Sequence, residues 1–158
     1  MIIYPAIDLR NGRVVRLKQG RVEDQTIYSD DPAEMAMRWQ NEGADWLHVV
    51  NLDGAFGDNS SANLRELKRI VSDVKISVQF GGGLRDVASI ETAFNVGVAR
   101  VVIGTAAIEN PQLVSQVIAK FGADRIVVGI DAREGMVATR GWVEQSHISA
   151  IELAKQMR

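Results

Sequence analysis

Cysteine is absent from the chain, which excludes disulfides, thiolate catalysis and zinc held by sulfur, and fits a reducing compartment. The cytoplasm is the expected location. Charge of one sign is lacking too: 18 basic residues against 20 acidic ones leave a net charge of -2. That balance supplies no field for nucleic acid or an anionic membrane, so any phosphate must be bound by a local site. No apolar run approaches the roughly 20 residues that span a bilayer. The opening Met1-Ile2-Ile3-Tyr4-Pro5 has neither the basic region nor the apolar core of an export signal. The two histidines, His48 and His147, lack the spacing of a metal site, and no metal is expected.

What the chain has is 158 residues with 46% hydrophobic content, enough to bury one core in one domain. Ile2 to Leu9 is a short apolar run closed by Asn11-Gly12 and reads as a buried strand, although Pro5 forfeits a ladder donor. Arg13 to Leu17, between Gly12 and Gly20, predicts a small hairpin within a long loop. Asp31-Pro32 supplies a cap and a first-turn proline for a helix running to Gly43. Further strands are predicted at Trp46 to Leu52, Val74 to Phe80, Arg100 to Ile103 and Ile126 to Ile130, and further helices from Ser60 or Ser61, from Asp86 and from Asn110-Pro111. A second hairpin around Met136 to Trp142 and a fifth helix over Ile148 to Met157 complete the pattern. Five strands alternating with five helices require parallel pairing through crossover helices, so the class is α/β.

The chain also repeats itself. Ile130-Asp131-Ala132-Arg133-Glu134-Gly135-Met136-Val137 follows Ile7-Asp8-Leu9-Arg10-Asn11-Gly12-Arg13-Val14, with Ile, Asp, Arg, Gly and Val coinciding at an offset of 123 positions. Length alone favours an open doubly wound sheet, because a (βα)8 TIM barrel takes about 250 residues. Two halves of this size make about 246, however, which is a whole barrel. The chain is therefore read as one domain, 1–158, forming an incomplete TIM barrel of about five βα units. It holds the first half, 1–123, and the start of the second, 124–158.

Asp8 and Asp131 end the first and fifth strands, which in such a barrel face each other across the C-terminal end, where barrel enzymes place their active sites. Two carboxylates in unequal environments can divide acid and base work; the competing reading is that each merely caps its own turn. Gly81-Gly82-Gly83 and Gly104-Thr105 follow neighbouring strands, and their backbone N–H groups, with a helix terminus behind them, suit one phosphate. A glycine run is also ordinary turn chemistry. Arg16 and Arg140, one on each hairpin, are candidate clamps for a second anionic group or else solvated charges. Trp142 is a candidate stacking surface or a packed aromatic. His48 reads as a hydrogen-bonded core histidine, and Asp53 as either a ligand or a cap.

Taken together, Pro5-Ala6-Ile7-Asp8-Leu9, Gly12-Arg13-Val14-Val15-Arg16-Leu17, His48-Val49-Val50, Leu52-Asp53-Gly54-Ala55, Gly81-Gly82-Gly83-Leu84-Arg85, Val102-Ile103-Gly104-Thr105-Ala106 and Gly141-Trp142 resemble, in order and spacing, the phosphoribosylformimino-5-aminoimidazole carboxamide ribotide isomerases of histidine biosynthesis. That family is a (βα)8 barrel with an internal twofold repeat. The related cyclase typically carries Cys-Leu-Asp followed by Val-Lys in its first strand, and Ala6-Ile7-Asp8-Leu9 favours the isomerase. The resemblance implies an Amadori rearrangement of a bis-phosphorylated ribotide, without cofactor or metal. Asp131 would protonate the ribose ring oxygen and open the ring to a Schiff base; Asp8 would remove the C2 proton. Gly82, Gly83, Gly104 and Thr105 carry over as a phosphate site, and Arg16, Arg140 and Trp142 as substrate contacts. The complete enzyme is expected to be a monomer. The second phosphate site belongs after strands seven and eight, so this chain alone is expected to be weak or inactive. The alternatives are the related cyclase barrel and a non-catalytic phosphate-binding half-barrel that self-associates through open strand edges.

Overall fold

A computed structural model describes residues 1–58, 60–139 and 144–157. The elements run in the order β1 (Ala6–Arg10), β2 (Arg13–Lys18), β3 (Arg21–Ser29), α1 (Pro32–Asn41), β4 (Trp46–Asn51), α2 (Leu52–Phe56), α3 (Ser61–Asp73), β5 (Ser77–Gly81), α4 (Val87–Val96), β6 (Arg100–Ile103), α5 (Thr105–Glu109) and α6 (Pro111–Phe121). A 3-10 turn over Ala123–Arg125 leads into β7 (Ile126–Val128), β8 (Ala132–Arg133), β9 (Met136–Thr139), β10 (Glu144–Ser149) and α7 (Ala150–Gln156).

The main sheet has the order β3-β2-β1-β4-β5-β6-β7. The run from β1 through β4, β5 and β6 to β7 is parallel throughout, while β2 and β3 extend it antiparallel as a hairpin beyond β1. Strand order follows chain order without reversal, and α1 touches α3, α3 touches α4, and α4 touches α6. Neighbouring helices in contact with one another lie on one side of the sheet, which is the wall of a barrel and not a doubly wound sheet with helices on both faces. The sheet is not closed: among the described residues, β3 and β7 are its edges.

Side chains alternate across this wall. Ile7, Leu9, Leu47, Val49, Val78, Phe80, Val101 and Ile103 face the helices and are buried, against Ala33, Ala36, Leu67, Ile70, Ile90, Ala93, Leu113 and Val117. Each large side chain so buried contributes about 1.5–3 kcal/mol. The alternate residues Asp8, His48, Val50, Gln79, Arg100 and Val102 lie on the concave face and are half-buried. No described helix is long and apolar enough to cross a membrane.

Several boundaries differ from those expected. The first strand starts at Ala6, with Ile2 and Ile3 exposed ahead of it. β5 starts at Ser77 because Val74 closes α3, donating its N–H to the Ile70 carbonyl. Ile148 belongs to β10, and α7 begins only after Ser149, whose hydroxyl accepts the Glu152 N–H at 3.1 Å. The expected Asn110 side-chain cap is not formed, whereas Asp31 caps α1 by accepting from Ala33 and Glu34. The short helices α2 and α5 were not expected; each fills the gap between a strand and its main helix.

The sequence repeat is also a repeat of backbone. Asn11 and Gly12 both have positive φ, 50° and 76°, in the two-residue turn joining β1 to β2, and Glu134 and Gly135, at 53° and 81°, do the same between β8 and β9. Arg10 pairs with Arg13 and Leu9 with Val14; at the same offset, Arg133 pairs with Met136 and Ala132 with Val137. Left-handed conformation at two successive residues is the signature of a tight hairpin turn with the right twist.

Candidate functional site

At the C-terminal ends of the parallel strands the concave face opens into a cavity of about 730 Å³. Asp8, Arg16, Gly82, Gly83, Gly104, Thr105 and Asp131 all line it. Arg140 and Trp142 lie outside the described residues. Asp8, within β1, and Asp131, in the loop three residues beyond the end of β7, reach the cavity from the two ends of the parallel run.

Their environments are unequal. Asp8 is half-buried in the row that continues through Val50, Gly81 and Val102. Burial raises its pKa above the ordinary carboxyl range, and the charge of Arg16 on β2 opposes the shift. Asp131 is exposed; its carbonyl accepts the Ala138 N–H at 2.7 Å, which ties the loop after β7 into the small antiparallel sheet.

A buried polar bracket holds the loop beyond Asp8. Asn63 of α3, fully buried, accepts the Gly12 N–H at 2.7 Å and donates to the Leu9 carbonyl at 2.9 Å and to Asn51 Oδ1 at 2.8 Å. Asn51 Oδ1 also accepts the Gly54 N–H, capping α2. Asp53 is buried and accepts the Asn11 N–H at 2.9 Å. Sequence reasoning missed Asn63, yet a signal exists: it occupies the same helical face as Leu67 and Ile70, four and seven residues on, where the period calls for an apolar side chain.

The glycines divide into two kinds. Gly82 and Gly83 have φ of 99° and 79°, and a Cβ on Gly83 would lie 2.7 Å from Gly54 Cα, while one on Gly82 would overlap the Asn51 carbonyl. They are glycines because the loop after β5 packs backbone to backbone on the turn after β4. Gly104 has no such constraint, with open space where a Cβ would stand. The helix terminus expected behind Gly83 is occupied from within: Asp86 caps α4, accepting the Ser89 N–H at 2.7 Å. Arg85, also on the cavity wall, donates to the Gly54 carbonyl at 3.2 Å.

His48 lines the cavity from below the Asp8 row and is hydrogen-bonded, its Nδ1 lying 3.0 Å from Gln79 Nε2. Gln79 Oε1 accepts from Arg100 Nε at 2.8 Å, and Arg100 Nη2 donates to the Tyr4 hydroxyl at 2.9 Å. Among the described residues no three His, Asp or Glu side chains cluster as a metal-ligand set.

Comparison with known proteins matches residues 2–158 to a family model described as histidine biosynthesis protein. Similar curated proteins are named 1-(5-phosphoribosyl)-5-((5-phosphoribosylamino)methylideneamino) imidazole-4-carboxamide isomerase. That of Lachnoclostridium phytofermentans is 50% identical over 158 residues, covering 100% of this chain and 66% of its own. That of Syntrophomonas wolfei is 51% identical over 158 residues, covering 100% and 64%. That of Geotalea daltonii is 52% identical over 156 residues, covering 99% and 63%. The chain thus spans a little under two thirds of the length of these relatives.

Proposed function

The chain belongs to the histidine biosynthesis protein family, and from that premise we propose that its cavity is the acid-base half of an aldose-ketose isomerase site acting on a bis-phosphorylated ribotide. One observation carries the reading: Asp8 and Asp131 line a single cavity from the two ends of a parallel barrel wall. The names of the relatives supply the substrate class.

In the proposed reaction Asp131, on the solvent side of the cavity, delivers a proton to the ribose ring oxygen. The C1–O bond breaks and the exocyclic nitrogen's lone pair forms the Schiff base. Asp8 then takes the proton from C2, whose electron pair moves to give the enolamine; protonation at C1, with loss of the proton from the C2 hydroxyl, leaves the C2 ketone. The elevated proton affinity of the half-buried Asp8 suits it to accept that proton. Gly82, Gly83, Gly104 and Thr105 hold one phosphate, and Arg16 the substrate near Asp8. Arg140 and Trp142 are further substrate contacts by resemblance. The chemistry as proposed needs no metal or cofactor, and the cytoplasm is its proposed setting.

The same proposal treats 1–158 as a single unit, 1–123 forming the first half of a twofold barrel and 124–158 opening the second. Support comes from the turn geometry shared by Asn11-Gly12 and Glu134-Gly135. The test is conversion of the aminoaldose ribotide, followed by carbon NMR of the new ketone. It is run on this polypeptide and on a chimera completed with the remaining C-terminal part of the Lachnoclostridium phytofermentans isomerase. Asp8→Asn and Asp131→Asn in the active form are each expected to lower turnover by about 10²–10⁴-fold. Turnover within a few fold of the parent in either variant would remove that residue from the mechanism.

A further inference from the structure

We propose that Gln79 and Arg100 are positioning residues that fix His48 as a neutral imidazole protonated on Nε2, so that the cavity wall presents a hydrogen-bond donor to an oxygen of the bound ligand. The ligand half of this statement rests on the reading of the cavity as a substrate site; the tautomer does not.

Arg100 is the residue whose chemistry has no choice. A guanidinium only donates, so the Gln79 atom 2.8 Å from Arg100 Nε must be the carbonyl oxygen. The amide nitrogen is thereby turned toward His48 Nδ1, 3.0 Å away. An amide N–H₂ only donates, so Nδ1 must be the acceptor and the ring proton sits on Nε2. Arg100 is itself held in place: its Cζ lies 4.7 Å from the Trp46 ring centre and 5.4 Å from that of Tyr4, whose hydroxyl accepts from Nη2. Two aromatic faces and two hydrogen bonds leave the guanidinium little freedom.

Strand register makes the chain of contacts continuous, because His48 pairs with Gln79 and Gln79 with Arg100 across three parallel strands. Among the described residues no side chain other than that of Gln79 is hydrogen-bonded to the His48 ring. The ring lies against the cavity near Gly81, where a Cβ would be 3.9 Å from Cε1. The charged groups facing the same side are Arg100, two strands away, Asp8, one row up on β1, and, around the cavity, Arg16, Arg85 and Asp131. Burial lowers the His48 pKa, the Gln79 backbone carbonyl opposes that, and the Arg100 charge adds to it. Burial and the Arg100 charge outweigh the Gln79 carbonyl and keep the imidazole from becoming a cation, so His48 serves as a donor and not as a general base through Nδ1.

The test is nitrogen NMR of this polypeptide labelled at histidine, with His147→Gln used to assign the two rings. The parent should show an unprotonated Nδ1 and a protonated Nε2 from about pH 6 to about pH 8. In Gln79→Glu the carboxylate accepts from both neighbours, so Nδ1 should become protonated and the midpoint should rise by about one pH unit or more. An Nδ1–H tautomer or a charged ring in the parent at neutral pH would overturn the proposal, and so would unchanged nitrogen shifts in a folded Gln79→Glu. The parent spectrum decides the tautomer even if that variant fails to fold. In the chimera, Gln79→Glu should lower kcat more than it raises KM; unchanged kinetics would overturn the ligand contact. A chimera inactive from the start, with the tautomer as stated, would instead count against the isomerase reading.

Discussion

At the scale of single residues, Asp8 shows chemistry and stability pulling in opposite directions. Its folded-state pKa is raised by burial, so the native state holds its proton more tightly than the unfolded chain does. The associated stability is fully present below the ordinary carboxyl pKa and is lost as pH rises through the folded value. Asp8→Asn removes a buried charge at neutral pH. It should therefore melt higher than the parent there, with the difference closing as the pH falls below the ordinary carboxyl range. Thermal unfolding at several pH values checks this; an unchanged difference across that range would show that desolvation of Asp8 is not the cause. His48 and Asn63 show why some residues were not legible in the sequence. Their meaning lies in partners 31 positions away for His48, at a particular strand register, and 51 and 54 positions away for Asn63, at a particular helix rotation, and no local pattern encodes either. Asp8 was legible because it stands at the end of an apolar run and has a copy.

At the scale of elements, the loops after β5 and β6 look alike in sequence, each rich in glycine, but differ physically. Gly83→Ala sets a methyl against the Gly54 backbone and forces an L-residue to φ of 79°. The neighbouring backbone cannot yield cheaply, so a loss of about 2–4 kcal/mol is expected. Gly104→Ala meets open space and should change unfolding free energy by less than about 1 kcal/mol, while weakening retention of phosphate-bearing substrate. Denaturant unfolding paired with the KM of the active form separates the two; equal destabilisation would mean that backbone packing does not distinguish them. The helices themselves were legible from caps and apolar periodicity at Asp31, Asp86 and the face of α6. The short α2 and α5 were not, because five residues span too little of a helical period to leave a pattern.

At the scale of the whole molecule, the parallel wall and its one-sided helices agree with what alternation and the 123-residue offset predicted, since both rest on long-range regularity and not on any one turn. The edges are the exception. β3 carries exposed Val22, Ile27 and Tyr28, and β7 has a partner on one side only among the described residues. Unpaired strand edges bearing apolar side chains promote pairing between chains, so this polypeptide by itself should self-associate. Size-exclusion with light scattering over a range of concentrations is expected to show dimers or larger species, and a dispersed monomer at all concentrations would contradict it.

The alternation of faces along the wall has a consequence for how such a protein can change over generations. On β1, β4, β5 and β6 the residues that pack against the helices and the residues on the concave, cavity side are neighbours in sequence but back to back in space. Tolerance to substitution should therefore run with a period of two, and the map for folding should be out of phase with the map for turnover. New specificities can be explored at the cavity-facing positions while the helix-facing ones stay fixed, which makes each strand two nearly independent records written in one line of text.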